Sequence, residues 1–181
     1  MEFKETPLKD CFLISPPVFK DKRGLFLESY HKKKFAEATG IQVEFVQDNQ
    51  SVSSRGVIRG LHFQKGDFAQ AKLVRVVFGE VLDVVVDVRP DSPTFKQKFE
   101  VLLSDTNHKQ LFIPQGFAHG FITLSERSVF SYKCDRFYTP GAESGIIYND
   151  PELNINWPLP SENFILSDKD FQLPTLKELF S

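Results

Sequence analysis

The sequence predicts an all-β sandwich or barrel with short peripheral helices, and three observations carry that prediction. Short β-type runs succeed one another between residues 45 and 138. Turn signals separate those runs, and only two segments have a helical pattern.

Taken in order, the predicted strands cover residues 57–63, 72–78, 81–88, 99–103, 109–113, 120–124 and 129–134. Lys65-Gly66-Asp67, Phe78-Gly79-Glu80 and Pro114-Gln115-Gly116 supply turns between them. The helical segments are 32–39, stopped by Gly40, and 175–180. Between residues 140 and 174 stand Pro140, Pro151, Pro158, Pro160 and Pro174, which predict an extended tail wrapped over the strands. With no internal repeat, low-complexity tract or linker, residues 1–181 are expected to form a single domain.

At 181 residues and 41% hydrophobic content, the chain can bury a sizeable core with a pocket beside it. Its 19 Phe exceed what one small core needs, so some are expected at a pocket or a subunit interface. A formal net charge of −2 gives no electrostatic case for nucleic acid or an anionic membrane, and any anionic ligand must be met by a local Arg/Lys cluster. Cys11 and Cys134 are expected to be buried thiols rather than a disulfide or zinc pair. The segment MEFKETPLKD lacks the apolar core of a signal peptide. The most apolar run, 81–88, is far too short to span a bilayer and is interrupted by Asp83 and Asp87. A cytoplasmic location is the expectation.

His62, at the end of a predicted strand, is the first candidate for chemistry. Arg59 precedes it by three residues and Lys72 opens the next strand, which would bring two cations near one imidazole. Strict alternation would send Arg59 and His62 to opposite faces of the sheet. Both can face one pocket only if the strand bulges, and Gly60 is where the bulge is expected. Paired metal ligands of the H-x-H type are absent, because the local sequence is His62-Phe63-Gln64 and the other histidines are His31, His108 and His119. No transition-metal site is therefore expected. The chain also lacks a Gly-x-Ser-x-Gly elbow, a P-loop and a Gly-x-Gly-x-x-Gly fingerprint. Acid–base chemistry remains: a histidine titrates near neutrality and works best when a carboxylate holds its other nitrogen. Asp168 and Asp170 are both candidates for that carboxylate if the tail folds back.

A set of ordered blocks then resembles the dTDP-4-dehydrorhamnose 3,5-epimerase family. They begin with Phe19-x-Asp21-x-Arg23-Gly24-x-Phe26-x-Glu28-Ser29-Tyr30, Gln47-Asp48-Asn49-x-Ser51 and Arg59-Gly60-Leu61-His62-Phe63-Gln64. Lys72-Leu73-Val74-Arg75, Asp83-Val84-x-Val86-Asp87-x-Arg89 and Ser92-Pro93-Thr94-Phe95 follow. Ile113-Pro114-x-Gly116-Phe117-Ala118-His119-Gly120-Phe121, Tyr132-Lys133, Asn149-Asp150 and Leu166-Ser167-x-Lys169-Asp170 complete the set. The resemblance runs through almost the whole chain. One departure is Tyr148, where the family often has Trp.

The resemblance implies a cupin-like β-sandwich (jelly roll) that forms a homodimer and needs no metal or organic cofactor. It implies that His62 accepts a proton, that Asp170 orients it, that Tyr132 donates from the opposite face of the sugar ring and that Lys72 faces the C4 carbonyl oxygen. Arg23 and Arg59 would neutralise the substrate's diphosphate, with His119 and Lys169 nearby. Glu28, Gln47 and Asn49 would contact the nucleotide, Tyr138 would stack on its base, and Glu143 and Phe19 complete the substrate-binding set. Part of the nucleotide site would come from the neighbouring subunit. The implied reaction is epimerisation at C3 and C5 of a dTDP-4-keto-6-deoxy sugar in L-rhamnose biosynthesis. The alternatives are a relative that inverts one carbon only, or a nucleotide-sugar-binding sandwich without turnover.

Overall fold

In the computed structural model, which describes residues 1–181, the chain opens with two antiparallel strand pairs. These are β1 (Glu2–Glu5) with β2 (Phe12–Ser15), and β3 (Val18–Asp21) with β4 (Gly24–Leu27). Helix α1 (Lys32–Thr39) follows, and Gly40, in the left-handed region at φ 72°, ends it as predicted. Then come β5 (Gln47–Ser54), β6 (Ile58–Gln64), β7 (Lys72–Phe78), β8 (Glu80–Asp87), β9 (Lys98–Ser104) and β10 (Gln110–Ile113). After β11 (Phe117–Thr123), β12 (Arg127–Cys134) and β13 (Glu143–Gly145), two short helices close the chain, α2 (Asp168–Phe171) and α3 (Leu176–Leu179).

The strands form a six-stranded sheet in the order β1-β2-β10-β7-β12-β5 and a five-stranded sheet in the order β13-β6-β11-β8-β9, with β3-β4 as a separate hairpin. The two large sheets pack face to face as the predicted β-sandwich. Val74, Val76 and Phe130 of the first sheet meet Val81, Val85, Phe117 and Phe121 of the second in the largest core cluster. Residues 81–88 read as a nearly continuous apolar run because both faces of β8 are covered. Val81 and Val85 face the first sheet, whereas Val84 and Val86 pack under Ile146, Leu153 and Leu176 of the C-terminal segment. The tail therefore does wrap over the strands, and Val57 bridges to Ile165 within it. A third cluster seats Phe35 of α1 on Leu73 and Phe112.

Three expectations need correction. The predicted strands begin at residue 57, yet β1 to β5 lie before it. β1 to β4 are four residues each, too short to show a period, β1, β3 and β4 being largely solvent-facing and β2 a brief apolar run, while β5 is almost wholly polar. β11 starts at Phe117 rather than at residue 120, because every residue in it is buried and no face-to-face pattern marks its start. The tail holds one more α-helix than predicted, α2, a single turn capped by Ser167, besides 3-10 turns at Pro140–Ala142 and Ser161–Asn163 and the short strand β13. Cys11 and Cys134 are free and buried, and burial pushes the Cys11 thiol up to about 12. No helix is long and apolar enough to cross a membrane.

Candidate active site

Between the sheets and the tail lies a cavity of about 480 Å³. A second hollow of about 240 Å³ adjoins it, and His62, Lys72 and Tyr132 line both.

Strand register explains which side chains the first sheet contributes. Cys134 pairs with Lys72 and Tyr132 with Val74, so Lys72 and Tyr132 share the inward face on neighbouring strands. The Lys72 ammonium lies 6.0 Å from the Tyr132 ring centroid. Tyr132 is also opposite Asn49, and Cys134 opposite Gln47, which puts Gln47 and Asn49 on that same face.

The opposite sheet contributes His62, Arg59 and His119. His62 is paired directly with His119, and the next pair is Arg59 with Phe121, so β6 spends one residue more than β11 over this step. That is the bulge expected at Gly60. Gly60 has φ +113°, and a Cβ there would lie 2.6 Å from the Gly120 Cα and 2.6 Å from the His119 carbonyl oxygen. Only glycine fits. The extra residue restores Arg59 to the face of His62, and both line the larger cavity.

The tail supplies the carboxylate, and it is Asp170 rather than Asp168. The Ser167 hydroxyl accepts the Asp170 N–H and starts α2, leaving Asp170 buried and Asp168 exposed. Asp170 Oδ1 lies 2.6 Å from His62 Nε2, and Oδ2 accepts the Gly60 N–H at 3.5 Å. A carboxylate only accepts, so Nε2 carries the proton and Nδ1 keeps its lone pair. Burial works against ionisation of Asp170, but the His62 hydrogen bond and charge, with the Gly60 N–H and Ser167, hold it below the usual carboxylate range. Burial dominates at the other two groups. It pushes the Tyr132 phenol up and the Lys72 ammonium down.

In the smaller hollow, Glu143 accepts from the Tyr138 hydroxyl at 2.6 Å and pairs with Lys169 at 2.5 Å. Desolvation opposes the Glu143 charge, yet Lys169 and Tyr138 outweigh it and lower its pKa. Gln47 accepts the Tyr138 backbone N–H and donates to Asn49, tying the base of the hollow together. His119 is buried, with Nε2 committed to Asp83 at 2.9 Å, rather than standing free toward a diphosphate.

Three expected site residues are not brought to these cavities. Phe19 and Arg23 are in the β3–β4 hairpin, where Arg23 pairs with Asp21 and Phe19 is 60% exposed. Glu28 pairs with Lys34 on the surface. Conversely, Asp83 and Gln64 were given no role in the sequence reading. Both are buried polar residues with one side-chain atom unpartnered, Asp83 Oδ1 and Gln64 Nε2. For Asp83 a signal existed: an acid interrupting the most apolar run of the chain. Nowhere do three His, Cys, Asp or Glu side chains gather as a metal site would need.

Comparison with known proteins places this geometry. Residues 5–178 match the family model described as dTDP-4-dehydrorhamnose 3,5-epimerase. The dTDP-4-dehydrorhamnose 3,5-epimerase of Shigella flexneri is 51% identical over 170 residues, covering 94% of this chain and 93% of that protein. The crystal structure of the enzyme of that name from Elizabethkingia anophelis superposes with TM-score 0.95 at 52% identity, covering 98% of this chain and 97% of the other. The dTDP-6-deoxy-D-glucose-3,5-epimerase of Legionella pneumophila, solved in complex with dTDP-4-keto-L-rhamnose, has TM-score 0.94 at 46% identity, covering 99% and 94%. The shared architecture is the cupin-like β-sandwich.

Proposed function

The chain belongs to the dTDP-4-dehydrorhamnose 3,5-epimerase family, an isomerase-class family, and on that premise we propose that it converts dTDP-4-dehydro-6-deoxy-D-glucose to dTDP-4-dehydro-L-rhamnose. The observation that carries the proposal is the opposition of His62 on one sheet, backed by Asp170 of the tail, to Tyr132 and Lys72 on the other.

A C–H next to a ketone becomes removable when charge developing on the carbonyl oxygen is stabilised, and Lys72 in a dry pocket serves that end. His62 Nδ1 takes the proton, Asp170 stabilises the resulting imidazolium, and the electron pair moves to the ketone oxygen as an enolate. Tyr132 returns a proton from the opposite face, which inverts the carbon. Once His62 has released its proton to solvent and Tyr132 has regained one from it, the cycle repeats at the second of C3 and C5, using the one ketone twice with no net redox change.

Arg59 and Lys169 serve the diphosphate, with His119 held beside them by Asp83, and Gln47, Asn49, Tyr138 and Glu143 serve the nucleoside. Phe19, Arg23 and Glu28 act in the partner's site within a homodimer. The exposed Phe19, Leu25 and Phe26 of the hairpin, 60%, 52% and 68% accessible, support that reading, since such a patch calls for a partner. The chain works as one cytoplasmic epimerase domain.

Turnover in D2O tests the reaction. Deuterium at both C3 and C5 with inversion at both carbons agrees with the proposal. Inversion at one carbon assigns a mono-epimerase, and wild-type protein that binds the nucleotide sugar without exchanging ring protons assigns a binding module.

A further inference from the structure

Asp83 is an acid in an apolar layer. It stands between Val81 and Val85 on the inward face of β8, fully buried, where a charge without a partner is costly. One oxygen is held by His119 Nε2 at 2.9 Å, and the other, Oδ1, has no hydrogen-bond partner. Lys72, on the facing sheet, is half-buried, lines both cavities and forms no ion pair within 4.0 Å, its ammonium lying 6.0 Å from the Tyr132 ring centroid. We infer that Asp83, clamped by His119, is a positioning residue that supplies the counter-charge for Lys72 and keeps its ammonium directed at the substrate's ketone oxygen. The inference rests on the role proposed above for Lys72.

The other groups around Lys72 are accounted for. Tyr132 and Cys134 on β12 are both pushed up by burial, so near neutrality they are a phenol and a thiol and carry no charge. Glu143 is spent on Lys169 and Tyr138, and Asp170 on His62. Arg59, a cation, hydrogen-bonds Ser53 and adds no anion. His119 occupies one oxygen of Asp83 and leaves Oδ1 without a partner. Asp83 accordingly opposes the desolvation that lowers the Lys72 pKa.

The test is the kcat–pH profile of Asp83→Asn beside Lys72→Met and the double variant. Asp83→Asn should lower kcat at pH 7 by roughly tenfold or more with little change in KM. Its alkaline limb should move down by about one pH unit, because Lys72 deprotonates earlier. In the Lys72→Met background the same substitution should cost nothing further. An unmoved alkaline limb, or an equal loss in both backgrounds, overturns the inference. If Lys72→Met itself retains full turnover, the role proposed for Lys72 fails, and the inference with it. Should Asp83→Asn not fold, wild-type protein labelled with ¹³C at lysine Cε answers directly: an ammonium signal for Lys72 at pH 7.5 is expected, and a neutral amine there overturns the inference.

Discussion

His62 Nε2 and Asp170 Oδ1 are 2.6 Å apart although 108 positions separate them in the chain, and one turn of helix at Ser167 makes the contact. This pair settles the tautomer of the imidazole and leaves Nδ1 as the acceptor. Replacing Asp170 with Asn, which can donate where the carboxylate only accepts, should therefore lower kcat by roughly 10²- to 10⁴-fold with the fold retained. Steady-state kinetics with a circular dichroism control check it; activity within tenfold of wild type would contradict the role.

The same pair links stability to pH. Asp170 is held below its ordinary pKa, so the stabilisation it contributes is present above the unfolded carboxylate value of about 4 and fades as pH falls through the lower folded value. The melting-temperature gap between wild type and Asp170→Asn should be widest near neutrality and narrow below about pH 4. A gap that stays constant from pH 7 to 3 would argue that the pair carries no such linkage.

Tyr132→Phe should separate proton loss from inversion. Its phenol, pushed up by burial, stays protonated across the neutral range and is available only as a donor. Inversion should fall by roughly 10²-fold or more, while solvent exchange of the ring proton falls less. Equal loss of both would contradict the division of labour between the two faces.

Gly60→Ala tests the bulge. The added methyl carbon would meet the Gly120 Cα and the His119 carbonyl oxygen at 2.6 Å on a backbone at φ +113°. Urea unfolding should register a loss of about 2–4 kcal/mol. A loss under about 0.5 kcal/mol would mean that the strand can straighten without cost.

A shared site predicts complementation. Arg23→Ala and His62→Ala should each be nearly inactive, yet mixing them through unfolding and refolding should restore up to about a quarter of wild-type activity, since mixed dimers hold one intact site. No recovery would place Arg23 and His62 in the same protomer's site.

Much of this was legible before the coordinates. β7 and α1 have the bounds their patterns predict, and the bulge at Gly60 followed from the parity of Arg59 and His62. What escaped is what long-range packing decides. Asp170 and Asp168 are equivalent in local sequence, and the Ser167 cap turns one inward. β1 to β4 are too short to show a period, and β11 is buried on both faces and shows none. The Asp83–His119 pair joins two strands, so neither residue announces the other.

The central claim is that His62 is the base, and solvent exchange in D2O tests it most directly. His62→Ala should abolish deuterium entry at both C3 and C5 while dTDP binding, measured by calorimetry, stays within about threefold of wild type, because the side chain acts in the chemical step. Exchange persisting at either carbon at more than about a hundredth of the wild-type rate would contradict the claim and assign the proton to another group.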